Sequence, residues 1–161
     1  MIYIERTNFN RFIAIPLIFP IIYCVAEVFS GIKNNDTPKI FIFSIIVMFS
    51  LMVIMVCVFS NLKLSFYNEY LTYDFKPFVI RTQKIKYNDI TFYEIKKIDA
   101  LSDFQGWGLR TSRIYGKGLI TDTEIILILN VNGTIKSFSI KNEDKIRNLL
   151  QNIGLTNNGD K

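Results

Sequence analysis

Histidine is absent from the 161 residues. Its loss removes the side chain whose unperturbed pKa lies nearest neutrality, and with it every His-dependent triad or zinc site. Only two cysteines occur, Cys24 and Cys57, both inside apolar runs. Two such thiols argue against a disulfide framework or metal cluster and suit small apolar packing. No Gly-rich phosphate cradle, nucleophile elbow or nucleotide motif is present, so the reading is non-enzymatic, with no cofactor and no metal. Charge is also scarce in one region. Residues 12–60 carry only Glu27, Lys33, Asp36 and Lys39, whereas residues 61–161 carry 15 basic and 11 acidic side chains. This break near Ser60 separates a lipid-soluble part from a water-soluble part. The net charge of +5 is too diffuse to argue nucleic acid, and it suits a surface held near anionic headgroups.

Ile40–Ser60 contains 21 residues without charge, glycine or proline. At about 1.5 Å per residue such a helix crosses a hydrocarbon core of roughly 30 Å. Phe12–Gly31 is a second apolar run with Pro16 and Pro20 on one face, which predicts a bent helix. Between them, Ile32–Lys39 reads as a turn. The expectation is a two-helix transmembrane hairpin over 12–60, with spans at about 12–31 and 40–60, after an N-terminal arm of residues 1–11. Ile2–Glu5 in that arm reads either as a short strand or as an interfacial segment. Glu27 is the one ionisable side chain inside either span, a candidate intramembrane polar site. Ile40–Ser60 offers it only serines, so interfacial placement or protonation competes with an ion pathway. Arg6, Arg11, Lys63, Lys76 and Arg81 outnumber Lys33 and Lys39 in the turn, which predicts both termini in the cytoplasm.

From Leu62 the period changes to two. Strands are expected at 62–66, 71–75, 78–85, 91–98, 107–120 (one strand or a broken hairpin), 124–130 and 134–140, about seven antiparallel strands. Tyr87–Asp89 is a turn with room for one helical turn, and residues 100–106 are a loop. Asn132-Gly133 is a type I′ hairpin signal. Lys136 shares the alternating face of Phe138 and Ile140, so that inward face is mixed. Asn142 is placed to cap a helix over 142–153 with Ile146, Leu149, Leu150 and Ile153 along one stripe. Residues 61–155 thus form a mainly-β domain closed by an amphipathic helix, and 156–161 a disordered tail.

Tyr87-Asn88-Asp89-Ile90, Tyr93-Glu94-Ile95, Gln105-Gly106-Trp107-Gly108-Leu109-Arg110, the Asn132-Gly133 hairpin and the closing helix together resemble bacterial membrane-anchored PH-like (pleckstrin-homology-like) domain proteins. The resemblance covers nearly the whole chain and implies a PH-like domain at the cytoplasmic membrane, in a group that mostly lacks an assigned activity. Apart from it, Gly106 and Gly108 allow a tight backbone around Trp107, whose ring suits a core anchor, an interfacial anchor or a partner contact. Arg110, Arg113 and Lys117 form one basic group, a candidate contact for a headgroup or partner beside the plainer reading of solvated strand faces. Asp99 and Asp103 lack any metal-ligand spacing. The expected function is a scaffold in the bilayer that binds a protein partner or itself. A sensor of anionic lipid, and more weakly a small transport or immunity component, are the alternatives.

Overall fold

The computed structural model describes residues 2–8, 15–16, 18–121 and 123–157. Contacts divide the chain into two compact units, Met1–Phe9 with Ser60–Lys161, and Asn10–Phe59.

The smaller unit holds α1 (Ile18–Lys33) and α2 (Thr37–Phe59). Pro16 precedes α1 and Pro20 lies in its first turn, where the missing N–H has no intrahelical partner to lose. Neither proline therefore sits in the interior of the described helix, unlike the expected bend. Asn35 takes φ 52° in the turn, and Asp36 Oδ1 accepts from the Lys39 N–H at 3.1 Å, capping α2. Tyr23 meets Phe43 edge-on at 6.4 Å, and a Cβ added to Gly31 would lie 2.9 Å from Ile40. These pairings run in opposite directions along the chain, so α1 and α2 pack antiparallel.

No residue of α2 is buried, and Phe41, Met48 and Met52 are 67%, 68% and 63% exposed. Among the described residues α2 alone is long and apolar enough to cross a membrane. The 16 residues of α1 rise about 24 Å, short of a core of roughly 30 Å. Phe12–Ala14 and Leu17, part of the expected first span, lie outside the described residues.

The larger unit contains two sheets. The first is an antiparallel run of β1 (Tyr3–Asn8), β2 (Asn61–Phe66), β3 (Tyr70–Lys76) and β4 (Val79–Lys86). The second contains β5 (Ile90–Lys97), β6 (Gly108–Ser112), β7 (Gly116–Ile120), β8 (Ile125–Val131) and β9 (Thr134–Ile140), in the order β5-β8-β9-β7-β6. Its β7–β9 pair is parallel, and its other pairs are antiparallel. The expectation of about seven strands is corrected to nine among the described residues. Residues 107–120 contain a hairpin, and of the two readings of the N-terminal segment, short strand or interfacial arm, the structure has the strand. It pairs with β2 over six positions, from Tyr3↔Phe66 to Asn8↔Asn61. The helical unit is thus inserted between two neighbouring strands of one sheet, and Ser60 alone separates α2 from β2.

Local signals explain several elements. Asn132 and Gly133 have φ 49° and 81°, as a type I′ turn requires. Tyr87–Asp89 is one 3-10 turn, and residues expected to be loop include the short helix α3 (Ala100–Phe104). α4 (Glu143–Asn152) sends Ile146 and Leu150 into a core with Leu62, Leu64, Phe66, Leu127, Phe138 and Ile140, drawn from both sheets. The expected tail begins ordered. The Tyr93 N–H donates to the Thr156 carbonyl at 3.0 Å, and Asn157 bridges Tyr93. Residues 158–161 lie outside the described residues.

The start of α4 is held from a distance. Asn142 makes no side-chain cap bond of its own. Instead Glu5 of β1, 3% exposed, reaches it. Glu5 Oε1 accepts from the Lys141 N–H at 2.6 Å and the Asn142 N–H at 3.1 Å, while Oε2 accepts from Asn142 Nδ2 at 3.3 Å and from the Tyr3 hydroxyl. A carboxylate beside the first turn also faces the positive end of the helix dipole. Burial pushes the Glu5 carboxyl up, but the hydrogen bonds from Tyr3, Lys141 and Asn142 outweigh it and hold the group below its ordinary value. With the folded pKa below the unfolded one, the stabilisation is present above the ordinary carboxylate value of 4.5 and is lost as pH falls through the lower folded value. Glu5→Gln should cost about 1–3 kcal/mol at neutral pH, the range for stranding a buried partner. Chemical denaturation of the full chain in micelles, followed by Trp107 fluorescence, measures it. The variant should also lose this component of the acid sensitivity, and an unchanged midpoint would remove Glu5 from the stability of the fold.

Candidate functional site

Among the expected contact residues, Trp107 is the most firmly placed. It follows α3, which Asp99 caps by accepting the Leu101 N–H at 2.9 Å, while Asp103 Oδ2 accepts the Asp99 N–H at 2.9 Å. These two carboxylates therefore serve the local turn. Gln105, Gly106 and Gly108 all take positive φ, at 58°, 117° and 97°. That backbone turns the half-buried Trp107 onto a second apolar cluster containing Ile98, Phe104, Tyr115 and Ile120. The ring also borders a cavity of about 420 Å³ with Ile98, Ala100 and Thr123. Its packing matches the core-anchor reading.

Arg110 folds back on the same turn. Its Nε donates to the Trp107 carbonyl at 2.9 Å, and the space over Gly106 is free of a Cβ. Arg113 is exposed in the tip between β6 and β7. Lys117 is the register partner of Thr111, whereas Arg110 is the partner of Gly118. Cross-strand partners share a face and neighbours alternate, so Arg110 and Lys117 project from opposite faces. The expected single basic group of Arg110, Arg113 and Lys117 is therefore divided by the strand.

The residue that shares a face with Lys117 is Lys136, its partner in the parallel β7–β9 pair. Together with Tyr73, Val79, Gln83, Leu109, Leu119 and Phe138 they line a cleft of about 250 Å³ between the two sheets. Lys136 Nζ lies 3.5 Å from the Tyr73 hydroxyl, and the Tyr73 and Phe138 rings are 4.8 Å apart. The mixed face of Lys136, Phe138 and Ile140 is visible in the alternation of β9. Its pairing with Lys117 is not, because a parallel register across an intervening strand leaves no local signal.

Elsewhere, Lys84 stands 3.5 Å over the Tyr70 ring, and with Lys86 it borders a cleft of about 470 Å³ beside the β2–β3 turn. Tyr87 lines that cleft. Burial pushes its phenol up to about 12, and its hydroxyl donates to the Tyr67 carbonyl at 2.9 Å. Among the described residues no group of three or more His, Cys, Asp or Glu could hold a metal ion.

Glu27 does have a partner. Its Oε2 lies 2.6 Å from Lys39 Nζ, which also reaches Ser30 Oγ at 3.4 Å. In the sequence Lys39 merely flanks the apolar run, and the antiparallel packing brings it onto Glu27 near the turn. A neutralised pair at that end gives the carboxylate a structural role. Glu27→Lys alone should lower the recovery of folded, detergent-solubilised protein several-fold, and adding Lys39→Glu should restore it. Equal recovery for the single and exchanged variants would contradict a structural pair. No family model, curated protein or solved structure matches the chain.

Proposed function

We propose that this chain is a non-enzymatic integral membrane protein that presents a PH-like β unit at the cytoplasmic face for contact with a protein partner or a second copy of itself. The observation that carries this reading is the β1–β2 register on either side of the helical insertion. Two paired strands of one folded sheet lie on one side of a bilayer. The chain between them must then cross an even number of times. If α2 crosses, the segment containing α1 must return the crossing. This supports two spans where the described helix alone is short. The basic residues Arg6, Lys63, Lys76 and Arg81 on the strand side favour the cytoplasm.

The strand order supports the PH-like reading. A four-strand meander is followed by a second meander of β5, β8 and β9 and then by α4, with β6–β7 as an extra hairpin. That hairpin also supports partner contact. Among the described residues β6 pairs on one side only, and Ile114 at its tip is 69% exposed. A free strand edge offers main-chain hydrogen bonds to an added strand, and the apolar tip offers specificity. A photo-crosslinking residue at Ile114 in native membranes should trap one discrete adduct, which Thr111→Pro on the β6 edge should abolish. Uncrosslinked monomer alone would count against the scaffold.

A further inference from the structure

Exposed Lys117 and half-buried Lys136 border the cleft, and Lys136 Nζ stands 5.6 Å over the Tyr73 ring, but neither ammonium faces a counter-charge among the described residues. Lys117 and Lys136 are directly opposite across β7 and β9, on the face that also carries Leu119 and Phe138. Like charges in this position destabilise a sheet. Inward-pointing charges are a common protection for a free edge. Here both strands are interior, with β9 between β8 and β7, and β7 between β9 and β6. No carboxylate lines the cleft, and neither lysine belongs to an ion pair among the described residues. The remainder of the lining is largely apolar, with Leu109, Leu119, Val79 and Phe138 around the polar groups of Tyr73 and Gln83. An apolar recess with a few convergent polar groups is the usual form of a small-molecule site.

We infer that this cleft binds a single-chain amphiphile with a phosphate head. The two ammonium groups take the head in charge-assisted hydrogen bonds, which relieves their mutual repulsion. Leu109, Leu119 and Phe138 take the first part of the chain. The Tyr73 hydroxyl, within 3.5 Å of Lys136 Nζ, orients that ammonium. The site adjoins the partner edge proposed for β6, which supplies Leu109 to its lining, and it uses Lys117 and Lys136 in place of the divided Arg110 group.

The test is calorimetric titration of the full chain in phosphatidylcholine nanodiscs with octyl phosphate, after subtraction of empty nanodiscs. Inorganic phosphate and octanol are titrated in parallel. The expected result is saturable binding at one site, with octanol and inorganic phosphate each at least about ten-fold weaker. Lys117→Gln with Lys136→Gln should weaken octyl phosphate by about ten-fold or more, while Lys117→Arg with Lys136→Arg should retain it. Lys117→Glu, at an exposed position, provides a reversal that leaves the core untouched and should also abolish binding. Equal affinity for wild type and the glutamine and glutamate variants, equal affinity for octanol, or no saturable heat with wild type would each overturn the assignment.

Discussion

The pairing of β1 with β2 is the constraint on which the architecture depends. β1 has only six residues and alternates buried Glu5 and Thr7 with exposed Arg6 and Asn8. Alone it would have little reason to be a strand. It becomes one because β2 supplies its hydrogen bonds and because Glu5 is consumed at the start of α4. The chain must therefore complete the helical insertion before the sheet can close. The antiparallel packing of α1 on α2 assists closure by turning the chain back on itself, which limits the entropic cost of joining distant segments.

Glu5 and Glu27 illustrate how charge is handled in different settings. Glu5 is enclosed by a tyrosine hydroxyl, two backbone N–H groups and an amide. It gains hydrogen bonds that together outweigh its desolvation. Glu27 has one ammonium, Lys39, at the end of the helix pair. The pairing of lysines at 117 and 136 is the reverse case, in which two like charges are register partners with no acid among the described lining residues. That contrast singles out the cleft, because each carboxylate meets donors or a counter-charge, whereas the cleft lining offers the two ammonium groups no anion.

Much of this organisation was legible in the residues. The uncharged run over Ile40–Ser60 anticipated α2, the Asn132-Gly133 pair anticipated the β8–β9 turn, and the stripe of Ile146, Leu149 and Leu150 anticipated α4. Phe138 and Ile140, expected in the core, are buried. These signals are local, or repeat at a fixed period. What escaped was set by long-range pairing. β1 has no periodic run long enough to declare itself. Gly108, Gly116 and Gly118 blur the β6–β7 hairpin by lowering strand propensity, so the residues leave one strand and a broken hairpin both open. The parallel register of β7 with β9 places Lys117 against Lys136, and no spacing in the sequence encodes it. Lys39 looked like a boundary charge because only the packed helices bring it onto Glu27.

The helical unit interrupts a continuous strand pair, and cysteine crosslinking across that pair tests this most directly. In a background with Cys24 and Cys57 replaced by alanine, Asn8→Cys and Asn61→Cys occupy register partners, which lie about 4.5–5.5 Å apart between Cα atoms in an antiparallel pair. That separation suits a disulfide. Mild oxidation of the folded, detergent-solubilised chain should close the introduced disulfide between positions 8 and 61 within one chain in most molecules, whereas Asn8→Cys with Lys63→Cys, two residues out of register, should remain reduced. Failure of the in-register pair to close, or equal closure of both pairs, would contradict the insertion of the helices between β1 and β2.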